Sequence, residues 1–133
     1  MNHERTATQT LLGYYEAFNT FDVQMVLPYF HEPCLLLAPQ GAFAAPTHTV
    51  LAPALTNFIE ALRARGFGHS ELRIRRAESL SATATLVSGV AIRFTVAGAE
   101  LEHVGVTYVL HSHAGGWKIA VLITHDSEPQ STK

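Results

Sequence analysis

Apolar residues at Leu11, Leu12, Tyr15 and Phe18 recur at helical spacing in ATQTLLGYYEAFNTF and mark a first amphipathic helix. Gly13 weakens that helix without breaking it. Asn19-Thr20 ends it, and Asp22 is placed to cap a second, short helix over VQMVLPYF, where Met25, Val26, Tyr29 and Phe30 are apolar and Pro28 introduces a kink. Pro33 stops helicity, and CLLLA reads as a buried strand. After PQGAFAAPTHT, a loop with a short strand around Phe43, a third helix begins. Its apolar positions are Leu51, Leu55, Phe58, Ile59 and Leu62; Pro53 is expected in its first turn and Gly66 just past its end. From there the period changes. Residues 69–79, 83–97, 100–112 and 117–126 are rich in Val, Ile, Thr and aromatics, and Leu-Ser, Ala-Gly-Ala and His-Ala-Gly-Gly turns separate them. The expected class is α+β: three N-terminal helices packed on a curved, mainly antiparallel sheet.

Composition sharpens this picture more than it changes it. The 133 residues fit one domain, placed at 1–126, with a polar tail over 127–133. Hydrophobic residues make up 47% and charged residues 15%, enough apolar surface for a large core. The net charge is −2, without runs of like charge. Arg73, Arg75 and Arg76 form the densest basic cluster, and their spacing is that of a solvated strand face, so nucleic acid is not an expected partner. Cys34 stands alone, which excludes an internal disulfide, and it reads as a small buried apolar residue. Neither a signal peptide nor an apolar run of membrane-spanning length is visible, so no membrane association and a cytoplasmic location are expected.

The order helix, short helix, strand, long helix and four long antiparallel strands resembles the nuclear transport factor 2-like (cystatin-like cone) superfamily. YYEAFNTFDVQMVLPYF and GGWKIAVLITHD carry the likeness, which spans about Thr6 to Asp126. That superfamily includes ketosteroid isomerase and the SnoaL-like polyketide cyclases, so the resemblance implies a cone with a small-molecule pocket. It hosts many unrelated activities. In ketosteroid isomerase the strand after the second helix carries the aspartate that moves the proton; the matching position here is Ala38. The helical tyrosine of its oxyanion site matches Tyr14, and the carboxylic-acid donor falls at Thr107. An alanine cannot accept a proton, so isomerisation by that aspartate mechanism is not expected.

The last hairpin sets which side chains share a face. With a two-residue Ala114-Gly115 turn, 113 pairs with 116, 107 with 122 and 103 with 126, and paired residues project together. One face then carries Leu101, His103, Gly105 and Thr107 beside Leu122, Thr124 and Asp126. The other carries Val104, Val106, Tyr108 and Leu110 beside Trp117, Ile119, Val121 and Ile123. The family resemblance implies that the first face is the concave one; Tyr14, Phe18, Phe30, Leu36, Phe58 and Phe94 are then its expected lining, with Thr107 and Leu122. The second face is almost wholly apolar, and a second copy of the chain, sheet against sheet, is its expected cover, a homodimer; the alternative is cover by the chain's own ends and loops.

The candidate chemistry is a His103–Asp126 pair, an imidazole oriented by a carboxylate and suited to general-base work, with Tyr14 or Thr107 donating hydrogen bonds. One extra loop residue would break that pairing. Arg93 faces outward if the turn at Gly98-Ala99 has two residues and inward if it has three. His111 and His113 lack an identifiable third ligand, so no metal is expected. No phosphate loop, G-x-S-x-G elbow or H-E-x-x-H occurs, and no cofactor is expected. The residues thus point to a domain that binds a small apolar or aromatic molecule, and leave open whether it also carries out cofactor-independent isomerisation, dehydration or cyclisation. The rival is a ligand-free assembly module that works through its outer sheet face alone.

Overall fold

The computed structural model describes residues 3–114 and 116–127. Helix α1 (His3–Phe18) is followed by the single-turn α2 (Val23–Val26), a 3₁₀ turn over Leu27–Tyr29, strands β1 (Phe30–Ala38) and β2 (Gly41–Ala45), helix α3 (His48–Ala64), and strands β3 (Phe67–Ser81), β4 (Ala84–Thr95), β5 (Glu100–His113) and β6 (Gly116–His125). The expected α+β class holds. The sheet has the order β2-β1-β6-β5-β4-β3, with β1 and β6 parallel and every other neighbour antiparallel. The expected meander thus gains β1 and β2 along the outer edge of β6. Of the polar tail, all beyond Ser127 lies outside the described residues, as does the Gly115 half of the last turn.

Local chemistry explains the element ends. The Asp22 carboxylate accepts from the Gln24 N–H at 2.9 Å and caps α2. Thr47 caps α3 through its hydroxyl, so α3 starts at His48 and Pro53 stands in the second turn, not the first. Gly66, at φ 90°, turns the chain from α3 into β3. The helices lie on one face of the sheet, where Leu11, Val26, Leu51, Val87, Leu110 and Ile119 are sealed from solvent. The Thr85 hydroxyl is the one sealed side-chain polar atom without a hydrogen-bond partner among the described residues.

The register of the last hairpin departs from the expectation halfway along. His113 lies opposite Gly116 and Leu110 opposite Ile119, as a two-residue turn requires, but Val109 lies opposite Val121, Thr107 opposite Ile123 and Gly105 opposite His125. Ala120 is therefore an extra residue, a β-bulge that swaps the faces of everything beyond it. Val104, Val106, Tyr108 and Leu110, expected outside, look inward with Ile119, Leu122 and Thr124. His103, Gly105 and Thr107, expected inside, look outward with Val121, Ile123 and His125. A second irregularity, at Leu101, puts Arg93 opposite Glu102 on the inner side.

Candidate ligand cavity

Between the helices and the inner face of the sheet lies a cavity of about 520 Å³. Tyr14 from α1 and Phe30 and Leu36 from β1 wall it, Ala54, Leu55, Phe58, Ala61 and Leu62 from α3 roof it, and Val104, Leu122 and Thr124 come from the sheet. Ala38 at the end of β1, Pro39 and Gln40 in the turn after it, and Arg65, at the end of α3, form its rim. A smaller recess of about 50 Å³ continues inward past Arg93 toward Tyr15, Phe18, Ser70 and Tyr108.

The aromatic wall is held by edge-on packing. Tyr14 meets Tyr15 at 5.4 Å and Phe30 at 5.5 Å between ring centres, both nearly perpendicular. The Tyr15 and Tyr108 hydroxyls bond each other at 2.7 Å in the buried interior. The Tyr14 hydroxyl makes no hydrogen bond among the described residues, and it is not sealed from the cavity. Burial, with neighbouring Tyr15, pushes the Tyr14 phenol far above its ordinary pKa. Burial likewise moves Tyr15 up to about 12. Tyr14 therefore presents a neutral donor.

The polar end of the cavity is an ion cluster. Arg65 grips Glu102 with two bonds, at 2.9 and 3.2 Å, and Arg93 holds the same carboxylate at 2.5 Å. The Arg65 hydrogen bond, followed by the bond and charge of Arg93, keeps the Glu102 carboxyl below the usual glutamate range against the burial that would raise it. Arg93 is 12% exposed at its side chain, and its guanidinium stands 5.4 Å from the centre of the Phe58 ring.

Of the residues singled out from the sequence, Tyr14, Phe30, Leu36, Phe58 and Leu122 line the cavity, and Phe18 is buried and lines the recess. The register of the sheet places the others elsewhere. His103 is on the outer face, half exposed and 2.6 Å from Glu100, so the expected His103–Asp126 pair does not form across the strands: the ladder ends at Gly105 and His125, and Asp126 follows it. Thr107 bonds His125 at 2.9 Å on the same outer face. The Asp126 carbonyl can only accept, so the His125 Nδ1 facing it at 2.8 Å carries the proton, and Nε2 accepts from Thr107. Phe94 stacks on His69, 4.8 Å away and nearly parallel, outside the cavity. His31 joins His111 at 3.2 Å and lies near His113, a third imidazole hidden by sequence distance, yet among the described residues no three such side chains stand where they could hold a metal ion.

Arg65 and Glu102 escaped the sequence reading. Both sit at element ends, where charge is ordinary. The usable signal was Arg93, a lone cation within the apolar run VAIRFTV.

Helices roofing a curved sheet over a mostly apolar cavity define a cone-shaped α+β domain of cystatin-like type. The chain belongs to the family described as NTF2-like protein (DUF6841), whose model matches residues 3–127. Its fold is similar to that of an NTF-2 like protein of unknown function from Shewanella oneidensis MR-1, at TM-score 0.74 and 17% identity over 92% of this chain and 98% of that one. It is also similar to a ketosteroid isomerase-like protein from Erwinia carotovora atroseptica SCRI1043, at TM-score 0.70 and 22% identity over 97% and 100% of the two chains. A protein with a cystatin-like fold from Nostoc punctiforme PCC 73102 aligns at TM-score 0.69 and 11% identity, over 96% and 92%. At these identities the likeness is one of fold. No curated protein matches the chain. No helix among the described residues is long and apolar enough to cross a membrane.

Proposed function

We propose that this domain binds a small, largely apolar or aromatic molecule in the cavity between α1, α3 and the inner sheet face. The observation that carries the reading is the cavity itself. Its volume of about 520 Å³ suits a small-molecule site, and apolar walls surround a few polar groups, as such sites require. Binding is favoured over acid/base turnover. His103 is on the far side of the sheet, and Glu102, the one carboxylate among the described lining residues, is held ionised between two arginines, which makes it a poor base. A ligand-free assembly role would leave the cavity and its unpaired Tyr14 hydroxyl without use.

Native mass spectrometry of the full chain with 2-naphthamide tests this. The expected result is a 1:1 adduct that disappears in Leu122→Trp, a substitution that fills the cavity. An adduct that Leu122→Trp leaves intact would sink the reading, as would the absence of any adduct with 2-naphthamide, 2-naphthoate and 2-naphthyl phosphate alike.

A homodimer through the outer sheet face is part of the same proposal. Leu35, Val109, Val121 and Ile123 form a half-buried apolar ribbon on the side away from the helices. Among the described residues, His125 and Asp126 cross Gly105 beside this ribbon, and an apolar face of this kind is an interface signal.

A further inference from the structure

Five residues border both the cavity and its inner recess: Tyr14, Phe58, Arg93, Leu122 and Thr124. Three of them bring polar atoms to this junction, and all three can donate. The Tyr14 hydroxyl is unpaired. Arg93 spends Nη1 on Glu102, while Nε and Nη2 make no hydrogen bond among the described residues and are not sealed from the open space. The Thr124 hydroxyl has a long bond, 3.5 Å, to the Leu37 carbonyl.

The charges do not cancel. Arg65 and Arg93 bring two positive charges to the single negative charge of Glu102. Arg65 is 49% exposed and water solvates it; Arg93, at 12%, has little water to turn to. A cation kept in an apolar site with part of its hydrogen-bonding edge empty is costly, and an anion laid against that edge offsets the cost.

Resting on the cavity reading above, we infer that the ligand is an apolar or aromatic carboxylic acid whose carboxylate docks on Arg93 at this junction. The Tyr14 and Thr124 hydroxyls donate to its oxygens, and its hydrocarbon body lies beneath α3. A planar carboxylate matches the guanidinium fork, and its single charge balances the surplus charge of the cluster. A phosphate dianion would leave an excess negative charge among apolar walls. An ammonium head would meet donors, since Glu102 is already committed to both arginines.

Isothermal titration of the full chain with 2-naphthoate, 2-naphthamide and 2-naphthyl phosphate decides the matter. The naphthoate is expected to bind about tenfold or more tighter than the amide, the scale of a charged hydrogen-bonded pair. Arg93→Met should reduce that preference to within about twofold. If Arg93→Met does not fold, Arg93→Lys serves: a drop in the naphthoate preference of about threefold or more supports the assignment, because lysine lacks the fork. An undiminished preference in whichever variant folds overturns it. Equal binding of naphthoate and amide by the unaltered chain would refute the headgroup assignment and leave the cavity reading standing. Tightest binding of the phosphate would refute the monoanion assignment. Failure of all three probes would remove the cavity reading and this inference together.

Discussion

Tyr14, Tyr15 and Tyr108 crowd the inner end of the cavity, and burial raises the pKa of all three phenols. The sign of the consequence follows from where each state holds its proton. An unfolded tyrosine ionises near pH 10, whereas the folded phenols keep their protons above it, to about 12 for Tyr15. Their contribution to stability is therefore complete below about pH 10 and is lost as the pH rises past it. Absorbance at 295 nm should show these phenols ionising only when circular dichroism reports unfolding. A smooth rise from all four tyrosines at pH 10 to 11 with the fold intact would contradict the packing described here. At this scale the sequence was informative where a residue's role depends on its own element: Tyr14, Phe30, Leu36 and Phe58 were all legible as lining. Glu102 was not, since its meaning depends on Arg65, which is 37 residues away in sequence and beside it in space.

At the scale of elements, helices and strands followed from periodicity and turn chemistry, and the Asp22 cap was readable directly. The facing of β5 and β6 was not. Side chains alternate with a period of two, so one unpaired residue reverses an entire strand end, and an alanine in the run KIAVLI carries no mark of its own. The error passed intact to His103, Thr107 and Asp126. Arg93 shows the same dependence: Thr95 bonds Ala99 across the turn, and only the irregularity at Leu101 then brings Glu102 opposite Arg93. The bulged strand end makes a close crossing over Gly105. A β-carbon there would sit 2.2 Å from the Asp126 carbonyl and 2.5 Å from the His125 ring. Because the nearer obstacle is backbone, Gly105→Ala should destabilise the domain by about 2 kcal/mol or more in chemical denaturation. A loss below about 0.5 kcal/mol, the range of an ordinary surface change, would show that the crossing is loose.

For the molecule as a whole, the two faces of the sheet divide the work: the inner one shapes the cavity, and the outer one keeps an apolar ribbon. Light scattering coupled to size exclusion should give twice the 14.5 kDa chain mass, and Ile123→Lys, which sets a charge in the middle of the ribbon, should give the single-chain mass without loss of helical signal. A single-chain mass for the unaltered protein would assign the ribbon to something other than a second copy. The Ala120 bulge also bears on descent. In most strands the loss of one residue would turn everything beyond it to the other face. Here the loss of the Ala120 codon would set Val121 directly after Ile119 and still opposite Val109, so Leu122 and Thr124 would keep their places in the cavity and Val121 and Ile123 theirs in the ribbon. Lineages of this fold can thus differ in length at this point while the cavity lining and the ribbon stay as they are.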